Sequence, residues 1–148
     1  MDSVLQALRD MRWTYAEDDA NVLAELEVRI AVRGRAHDLI TYSDLVEDVA
    51  FDLPNLAERP HVIDTHNWQE LDRALIGDFL GYISARSYEK GGFFASALVV
   101  DTAERQPGEG FYRLLKQVGL VASTRHDDNM AVWLDQVKKA HRWYETHG

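Results

Sequence analysis

The sequence predicts a single α+β domain that is mainly helical, with about five or six helices around a small sheet of two or three strands. Apolar residues recur at helical spacing along most of the chain, whereas only short segments are rich in β-branched residues. A chain of 148 residues without a linker or repeat is consistent with one hydrophobic core. We therefore expect a core over residues 20–146, preceded by an N-terminal helix and an acidic lead-in over residues 1–19.

The amino-acid composition excludes several classes of function. The chain has no cysteine, which excludes disulfides, thiolate zinc sites and cysteine nucleophiles. Its 16 Lys and Arg residues against 25 Asp and Glu residues give a net charge of −9, which repels nucleic acid and acidic membranes unless a local basic patch overrides it. No export signal and no apolar run of about 18 residues is visible, so we expect a cytoplasmic protein that does not enter the membrane.

A helix is predicted after the acidic residues 17–19, and Gly34 is its expected end. Its C-terminal part carries a basic cluster of Arg29, Arg33 and Arg35, followed by His37. Positive charge near a helix C-terminus complements the helix dipole, and this explanation is favoured over a role in ligand binding. The residues expected to face inward are Val22, Leu23, Leu26, Ile30 and Val32.

Two short strands and a helix are predicted over the next thirty or so residues. Residues 39–42 are β-prone and short, as in an edge strand. Thr41 or Ser43 can cap a following helix that runs through Ala50. Residues 61–65 (HVIDT) are a second candidate strand, which leads into the longest helix of the chain.

The stretch 67–92 is predicted to be one long, largely buried helix. Asn67 is a suitable N-cap, Glu70 can complete a capping box with it, and Gly92 is a typical C-terminal stop. The apolar band is wider than a surface helix needs, so we expect cover on more than one side. Its members are Leu71, Leu75, Ile76, Phe79, Leu80 and Ile83.

Small residues at steps of three or four form a ridge along this helix: Ala74, Gly77, Gly81 and Ala85. Each interior glycine costs about 1 kcal/mol relative to alanine, so close packing of another element is expected to offset the loss. The expected partners are a strand over residues 93–100 and a tryptophan-bearing last helix over about residues 127–144.

The C-terminal third is predicted to contain that strand and two helices. Residues 93–100 are apolar on both alternating faces, as in a strand covered on both sides. A short helix follows over residues 111–118, and Ser123 or Thr124 is expected to start the last helix. Leu134 is expected on the inward face of that helix.

Motifs for catalysis are largely absent: there is no glycine-rich phosphate loop, no G-x-S-x-G and no H-E-x-x-H. The nearest candidates for acid–base chemistry are Asp64 and His66, which share one face if the segment is a strand, with His61 on the other. They supply at most two metal ligands unless a distant residue such as His126 joins them. We therefore expect no metal and no cofactor.

Binding candidates lie on the exposed face of the long helix and at the end of the last helix. Arg73, Arg86 and Tyr88 can contact an anionic partner, although nearby acids bring the local net charge to about zero. Trp143 falls off the apolar stripe of the last helix. A large exposed aromatic residue indicates a contact site, or it covers the end of the chain.

Several runs carry a resemblance to known proteins. They are ITYSDL at 40–45, FDLPN at 51–55, LDRALIGDFLGYIS at 71–84 with SY at 87–88, and GFFASALVV at 92–100. Over about residues 20–146 the chain resembles an uncharacterised family of small bacterial proteins. This resemblance implies a bacterial setting and no mechanism.

A weaker similarity concerns the order of elements. An I-T-Y strand, a helix, a longer helix and a later strand are similar to the winged-helix domain of DNA alkyltransferase-like proteins. The resemblance implies a winged-helix-like core. This chain lacks that family's Pro-Cys-His-Arg segment, so alkyl transfer is excluded, and the similarity concerns fold alone.

Three functional hypotheses follow. The first is a non-catalytic module acting through protein–protein contacts, with a homodimer as one form, because the chain is acidic and lacks catalytic motifs. The second is a nucleic-acid-binding regulator, which needs a basic surface around Arg29, Arg33, Arg35 and Arg86. The third is an enzyme that uses Asp64 and His66.

Overall fold

The computed structural model describes residues 2–122 and 125–147 and confirms the predicted class, mainly helical α+β. The candidate cap residues Ser123 and Thr124 lie outside these ranges. Within them, no helix has both the length and the apolar character needed to cross a bilayer. The described α-helices are α1 Ser3–Asp10, α2 Ala20–Arg35, α3 Tyr42–Val46, α4 Glu70–Gly91, α5 Glu109–Gln117 and α6 His126–His147.

The strands are short and form two separate pairs rather than one sheet. β1 (Ile40–Thr41) lies parallel to β4 (Val99–Val100), with Ile40 opposite Val99. β2 (Ala50–Phe51) and β3 (His61–Val62) are antiparallel. The small β content predicted from the few β-prone segments is therefore confirmed, but helices supply most of the packing.

The expected strand over residues 93–100 is wrong for most of its length. Ala95–Leu98 is a 3₁₀ helix, and only Val99 and Val100 are extended and paired. All eight residues are buried. Burial on every side produces the same continuous apolar run in a strand and in a buried helical segment, so the pattern could not separate the two.

Side chains from α4 and α6 provide the hydrogen bonds that a strand partner would have supplied. The N–H of Phe94 donates to Oε1 of Gln136 at 2.8 Å, and the N–H of Ala95 donates to Oγ of Ser87 at 2.9 Å. Nε1 of Trp133 donates to the carbonyl of Ala97 at 2.8 Å. Buried backbone groups need such partners, so these side chains allow an irregular segment in the interior.

The same segment separates two hydrophobic clusters. Phe93, Leu98 and Val99 belong to a cluster built with α2, α3 and α4. Phe94 and Val100 belong to a second cluster, which includes residues from α1, α5 and α6. Residues adjacent in the chain therefore contribute to different parts of the core.

The N-terminus of α4 differs from the predicted cap. Its N-cap is Gln69 and not Asn67. The capping box is completed by Asp72 and not Glu70, because the N–H of Gln69 donates to Oδ2 of Asp72 at 2.8 Å. Leu71, in the first turn of the helix, is exposed, whereas the other five residues of the predicted apolar band are buried as expected. Gly92 ends the helix as predicted, with a left-handed φ of 73°.

Other helix predictions need correction. Gly34 does not end α2 but lies inside it, where a Cβ would clash with the ring of Tyr144. Val32 of the predicted inward stripe is exposed, as is Leu134 on α6. The helix expected to run through Ala50 ends at Val46, and Thr41 is its cap, accepting from the N–H of Asp44 at 3.1 Å.

Candidate functional site

A groove runs along α4 in the described structure, with a cavity volume of about 820 Å³. We call it the α4 groove. Its size is within the range of ligand-binding clefts. Apolar and aromatic side chains line it, with a few charged groups at the rim. Its principal lining residues are Met11, Trp13, Tyr42, Trp68, Arg73, Ala74, Ile76, Gly77, Leu80, Gly81, Gly110, Phe111, Arg113 and Leu114.

The ridge of small residues on α4 forms part of this groove, and the predicted partners account for only part of its packing. Ala85 packs against the second hydrophobic cluster, which contains Phe94 of the buried segment and Trp133 of α6. At Gly81 the nearest side chain is the indole of Trp13, a partner that was not predicted. A Cβ at Gly81 would lie 2.5 Å from Cζ3 of Trp13. One turn earlier, a Cβ at Gly77 would meet no atom of the described residues within 4 Å beyond the backbone of its own helix. The ridge is therefore half covered by the chain itself and half open.

Asp78 holds the segment that carries Trp13 against α4. Its Oδ1 accepts a hydrogen bond from the N–H of Thr14 at 2.9 Å, and its Oδ2 accepts from the N–H groups of Tyr15 and Ala16, each at 2.8 Å. Three charge-assisted bonds from one carboxylate fix the backbone strongly. This role was not predictable from local sequence patterns, because the donors lie more than sixty residues from Asp78 in the chain.

Tyr42 forms part of the opposite wall with the start of α5. Its hydroxyl oxygen accepts a hydrogen bond from the N–H of Gly108 at 2.8 Å. Burial raises the pKa of the Tyr42 phenol, and the charge of Asp101 raises it further, against the opposing effect of the Gly108 bond. The phenol therefore keeps its proton at neutral pH, and its O–H can donate to a bound group.

The rim of the groove carries charges of both signs. Arg73 is exposed, and its side chain makes no hydrogen bond or ion pair within the described residues. Arg113 approaches Glu109 only at 3.9 Å, and both side chains are exposed. Exposed pairs of this kind contribute little to stability, so these groups can reorient toward a ligand.

The predicted acid–base pair has a different setting from the one expected. The strand ends at Val62, and Oδ1 of Asp64 accepts from the backbone N–H of His66 at 3.0 Å. Both residues are exposed, and neither lines the α4 groove. Instead, Nε2 of His61 lies 2.6 Å from Oδ1 of the buried Asp72. This pair was not predicted, because its two residues lie on different elements, β3 and α4, whose packing the sequence does not show.

The basic cluster of α2 mostly makes contacts within the chain. Arg29 bonds to Glu25 at 2.9 Å and donates to three carbonyls at the end of α3, the shortest being that of Glu47 at 2.8 Å. Arg33 donates to the carbonyl of Leu39 at 2.9 Å and lies 3.4 Å from Asp44. These side chains connect the end of α3 and the residue before β1 to α2.

The candidates near the C-terminal end of α4 are also engaged. Arg86 bonds to Glu27 at 3.0 Å and lies over the ring of Tyr82. The hydroxyl of Tyr88 donates to Asp2 at 3.0 Å, and burial raises the pKa of that phenol. Both contacts connect α4 to other elements, so these residues have structural roles in addition to any role in binding.

Trp143 is half-buried rather than exposed, and it lines a second cavity of about 520 Å³ between α2, α4 and α6. Its ring lies 5.7 Å from that of Phe93 and stacks on His147 at 3.6 Å. Only glycine fits at position 91, because a Cβ there would lie 2.6 Å from the Trp143 ring. Arg35 also lines this cavity.

Comparisons with known proteins add no relative. Among residues 2–122 and 125–147, no three His, Asp or Glu side chains are grouped so that they could hold a metal ion. The chain matches no protein-family model, no curated protein and no solved structure. The resemblance to the bacterial family and the winged-helix similarity stay predictions, and the α4 groove is the feature from which a function can be inferred.

Proposed function

We propose that the chain is a non-catalytic interaction module that binds a segment of a partner protein in the α4 groove. The observation that carries the proposal is Gly77. An interior helical glycine costs about 1 kcal/mol relative to alanine, and close packing normally accounts for such a residue. No side chain of the described residues packs on Gly77, so an external group is the simplest occupant of that position.

The contact between Trp13 and Gly81 indicates the kind of group that fits. There a flat apolar ring lies directly on bare helix backbone. Gly77 presents the same surface one turn away, in a groove that Trp13 and Trp68 also line. We expect the partner to insert an aromatic or branched apolar side chain here, as buried anchor residues do at the centre of many interfaces.

Polar groups at the groove are suited to holding a peptide backbone. The O–H of Tyr42 and the guanidinium of Arg73 can donate to partner carbonyls. At longer range, the net charge of −9 favours a basic partner, because opposite charge raises the rate of encounter. The expected ligand is therefore a segment with one apolar anchor and basic flanking residues.

The other two hypotheses have less support. A nucleic-acid-binding surface needs available cations, yet Arg29, Arg33 and Arg86 already form hydrogen bonds within the chain. Catalysis by Asp64 and His66 needs a site that excludes water, and both residues are exposed outside the α4 groove. Protein binding requires neither condition.

Selection from a displayed peptide library against the immobilised chain tests the proposal. Enriched peptides are expected to contain an aromatic or branched apolar residue near basic residues, and their affinities are measured by fluorescence anisotropy. Gly77→Trp fills the groove and should weaken binding at least about tenfold. Leu134→Trp, which adds the same ring at an exposed site on α6, is the matched control and should bind like the wild type.

Two results would overturn the proposal. One is a library selection that enriches no peptide above an unrelated acidic protein of similar size. The other is a set of peptides that bind Gly77→Trp as tightly as the wild type, because binding would then lie outside the groove. Thermal melts of both variants establish that the fold is retained.

A further inference from the structure

The second cavity, of about 520 Å³ between α2, α4 and α6, has the features of a small-molecule site. It shares no lining residue with the α4 groove. Its volume is within the range of ligand-binding clefts, and a cavity of about 150 Å³ is already large enough to hold benzene. A compound with two fused rings therefore fits by volume.

Aromatic side chains form much of the lining. Phe93 is buried, and the rings of Trp143 and Tyr144 lie 5.7 and 5.5 Å from its ring. The ring of His147, which also lines the cavity, lies parallel to that of Trp143. Because aromatic rings pack favourably against other rings, a flat apolar group is the ligand part that best matches this lining.

The hydroxyl of Tyr144 has no partner in the described part of the chain, where it makes no hydrogen bond. Burial raises the pKa of this phenol, and the charge of Glu27 raises it further, so the O–H keeps its proton at neutral pH. Polar groups in such surroundings are normally hydrogen-bonded. The O–H of Tyr144 is therefore available to donate to an acceptor on a ligand.

Lys90 supplies a positive charge at the same cavity. Its side chain is exposed and makes no hydrogen bond or ion pair within the described residues. Arg35 also lines the cavity but already has an interaction within the chain, so Lys90 is the expected partner for an anion. Glu27, the acidic residue of the lining, is bonded to Arg86 at 3.0 Å, which offsets its negative charge.

We propose that the second cavity binds a small aromatic acid, a planar compound of one or two rings with a single carboxylate. The rings pack against Phe93 and Trp143, and the carboxylate accepts hydrogen bonds from the ammonium group of Lys90 and from the O–H of Tyr144. A carboxylate has two oxygens and can accept from both donors, and bonds to an ionised acceptor are stronger than neutral ones. This site is additional to peptide binding in the α4 groove and does not depend on it.

A heteronuclear NMR titration with 2-naphthoate up to about 5 mM tests the proposal, and a dissociation constant on the order of 0.1–1 mM is expected for a ligand of this size. Resonances of the Trp143 indole N–H and of the amides of Lys90 and Phe93 should shift. Those of Trp68 and Gly77 in the α4 groove should not. The uncharged analogue 2-naphthamide has the same rings and should bind at least about fivefold more weakly.

Variants separate the roles of the two donors. Lys90→Met should weaken binding of 2-naphthoate at least about fivefold and leave binding of 2-naphthamide unchanged, because the methionine keeps the apolar stem and removes the charge. Tyr144→Phe should weaken binding of 2-naphthoate at least about threefold through loss of the O–H. Lys116→Met removes the same charge at an exposed position of α5 outside the cavity and should bind like the wild type.

Four results would overturn the proposal. They are the absence of binding at the highest concentration, shifts confined to the α4 groove, equal affinity for the acid and the amide, and unchanged affinity in Lys90→Met. Circular dichroism melts show whether each variant is folded. Gly77→Trp, which fills the α4 groove, should bind 2-naphthoate like the wild type, so peptide binding can fail without affecting this test.

Discussion

The indole of Trp13 lies directly on the backbone of Gly81, and a Cβ at that position would lie 2.5 Å from ring carbon Cζ3. The contact between these two segments, which are far apart in the chain, is therefore possible only because this position has no side chain. Asp78, which holds the segment of Trp13 in place, lies three residues before Gly81 on the same helix. Close packing here explains the glycine at position 81, in contrast to the one at position 77.

Gly81→Leu is therefore expected to destabilise the protein by about 1–3 kcal/mol, because Trp13 must leave α4 or the helix must shift. Urea denaturation followed by circular dichroism measures the change in the free energy of unfolding. Gly77→Leu is the matched control, since the same side chain then enters the open groove. Equal losses for the two variants would contradict the packing described for Trp13.

Gly77→Ala is expected to raise the free energy of unfolding by about 0.5–1 kcal/mol, the difference in helix propensity between the two residues. In the described part of the chain, the added methyl group meets no atom within 4 Å outside its own helix backbone, so no steric cost offsets the gain. Thermal melting measures the change. A loss of stability would show that the groove closes onto Gly77 in solution.

Gln136→Leu is expected to cost about 1–3 kcal/mol, because it leaves the buried N–H of Phe94 without an acceptor. The replacement keeps the approximate size of the side chain and removes its polarity. Gln117→Leu, at an exposed position of α5, is the control and should change stability little. If Gln136→Leu is as stable as the wild type, another acceptor serves Phe94.

Stability is expected to fall as the pH rises above about 10. Burial raises the pKa of Tyr144 above its ordinary value of 10.0, and the nearby carboxylate of Glu27 raises it further. The unfolded chain therefore loses this proton at a lower pH than the folded chain, which favours unfolding in alkali. The stability contribution is complete below pH 10 and is lost as the pH rises toward the folded-state value.

Tyr144→Phe should make this loss smaller, and urea denaturation between about pH 8 and pH 11 measures it. Some dependence should remain, because burial also raises the pKa values of Tyr42, Tyr88 and Tyr112. An identical pH dependence in the variant would show that Tyr144 ionises equally easily in both states.

Periodicity predicted the helices well, because each buries an apolar face that recurs every three or four residues. It failed at residues 93–98, where the deciding contacts come from Ser87 and Gln136 on other elements. Apolar residues alone do not distinguish a strand from an irregular segment whose N–H groups are satisfied by distant side chains. Contacts of that kind leave no local pattern in the sequence.

The candidate groove was only partly predictable. The ridge with Gly77 and Gly81 is visible at helical spacing in the sequence. Trp13, which packs on this ridge, belongs to a turn more than sixty residues away in the chain. The bond between Tyr42 and Gly108 likewise joins positions 66 residues apart. The residues in these contacts show no unusual pattern in the neighbouring sequence. The surface of the helix was therefore predictable, whereas the residues that form the walls of the groove were not.

The segment with Phe93 and Phe94 has a consequence for local motion. Since neighbouring residues belong to different hydrophobic clusters, neither cluster can open while the other keeps its packing around this segment. The amides of Phe94, Ala95 and Ser96 should consequently exchange with deuterium only when the whole molecule unfolds. The two halves of the core are therefore expected to unfold as one cooperative unit, although their side chains form separate groups.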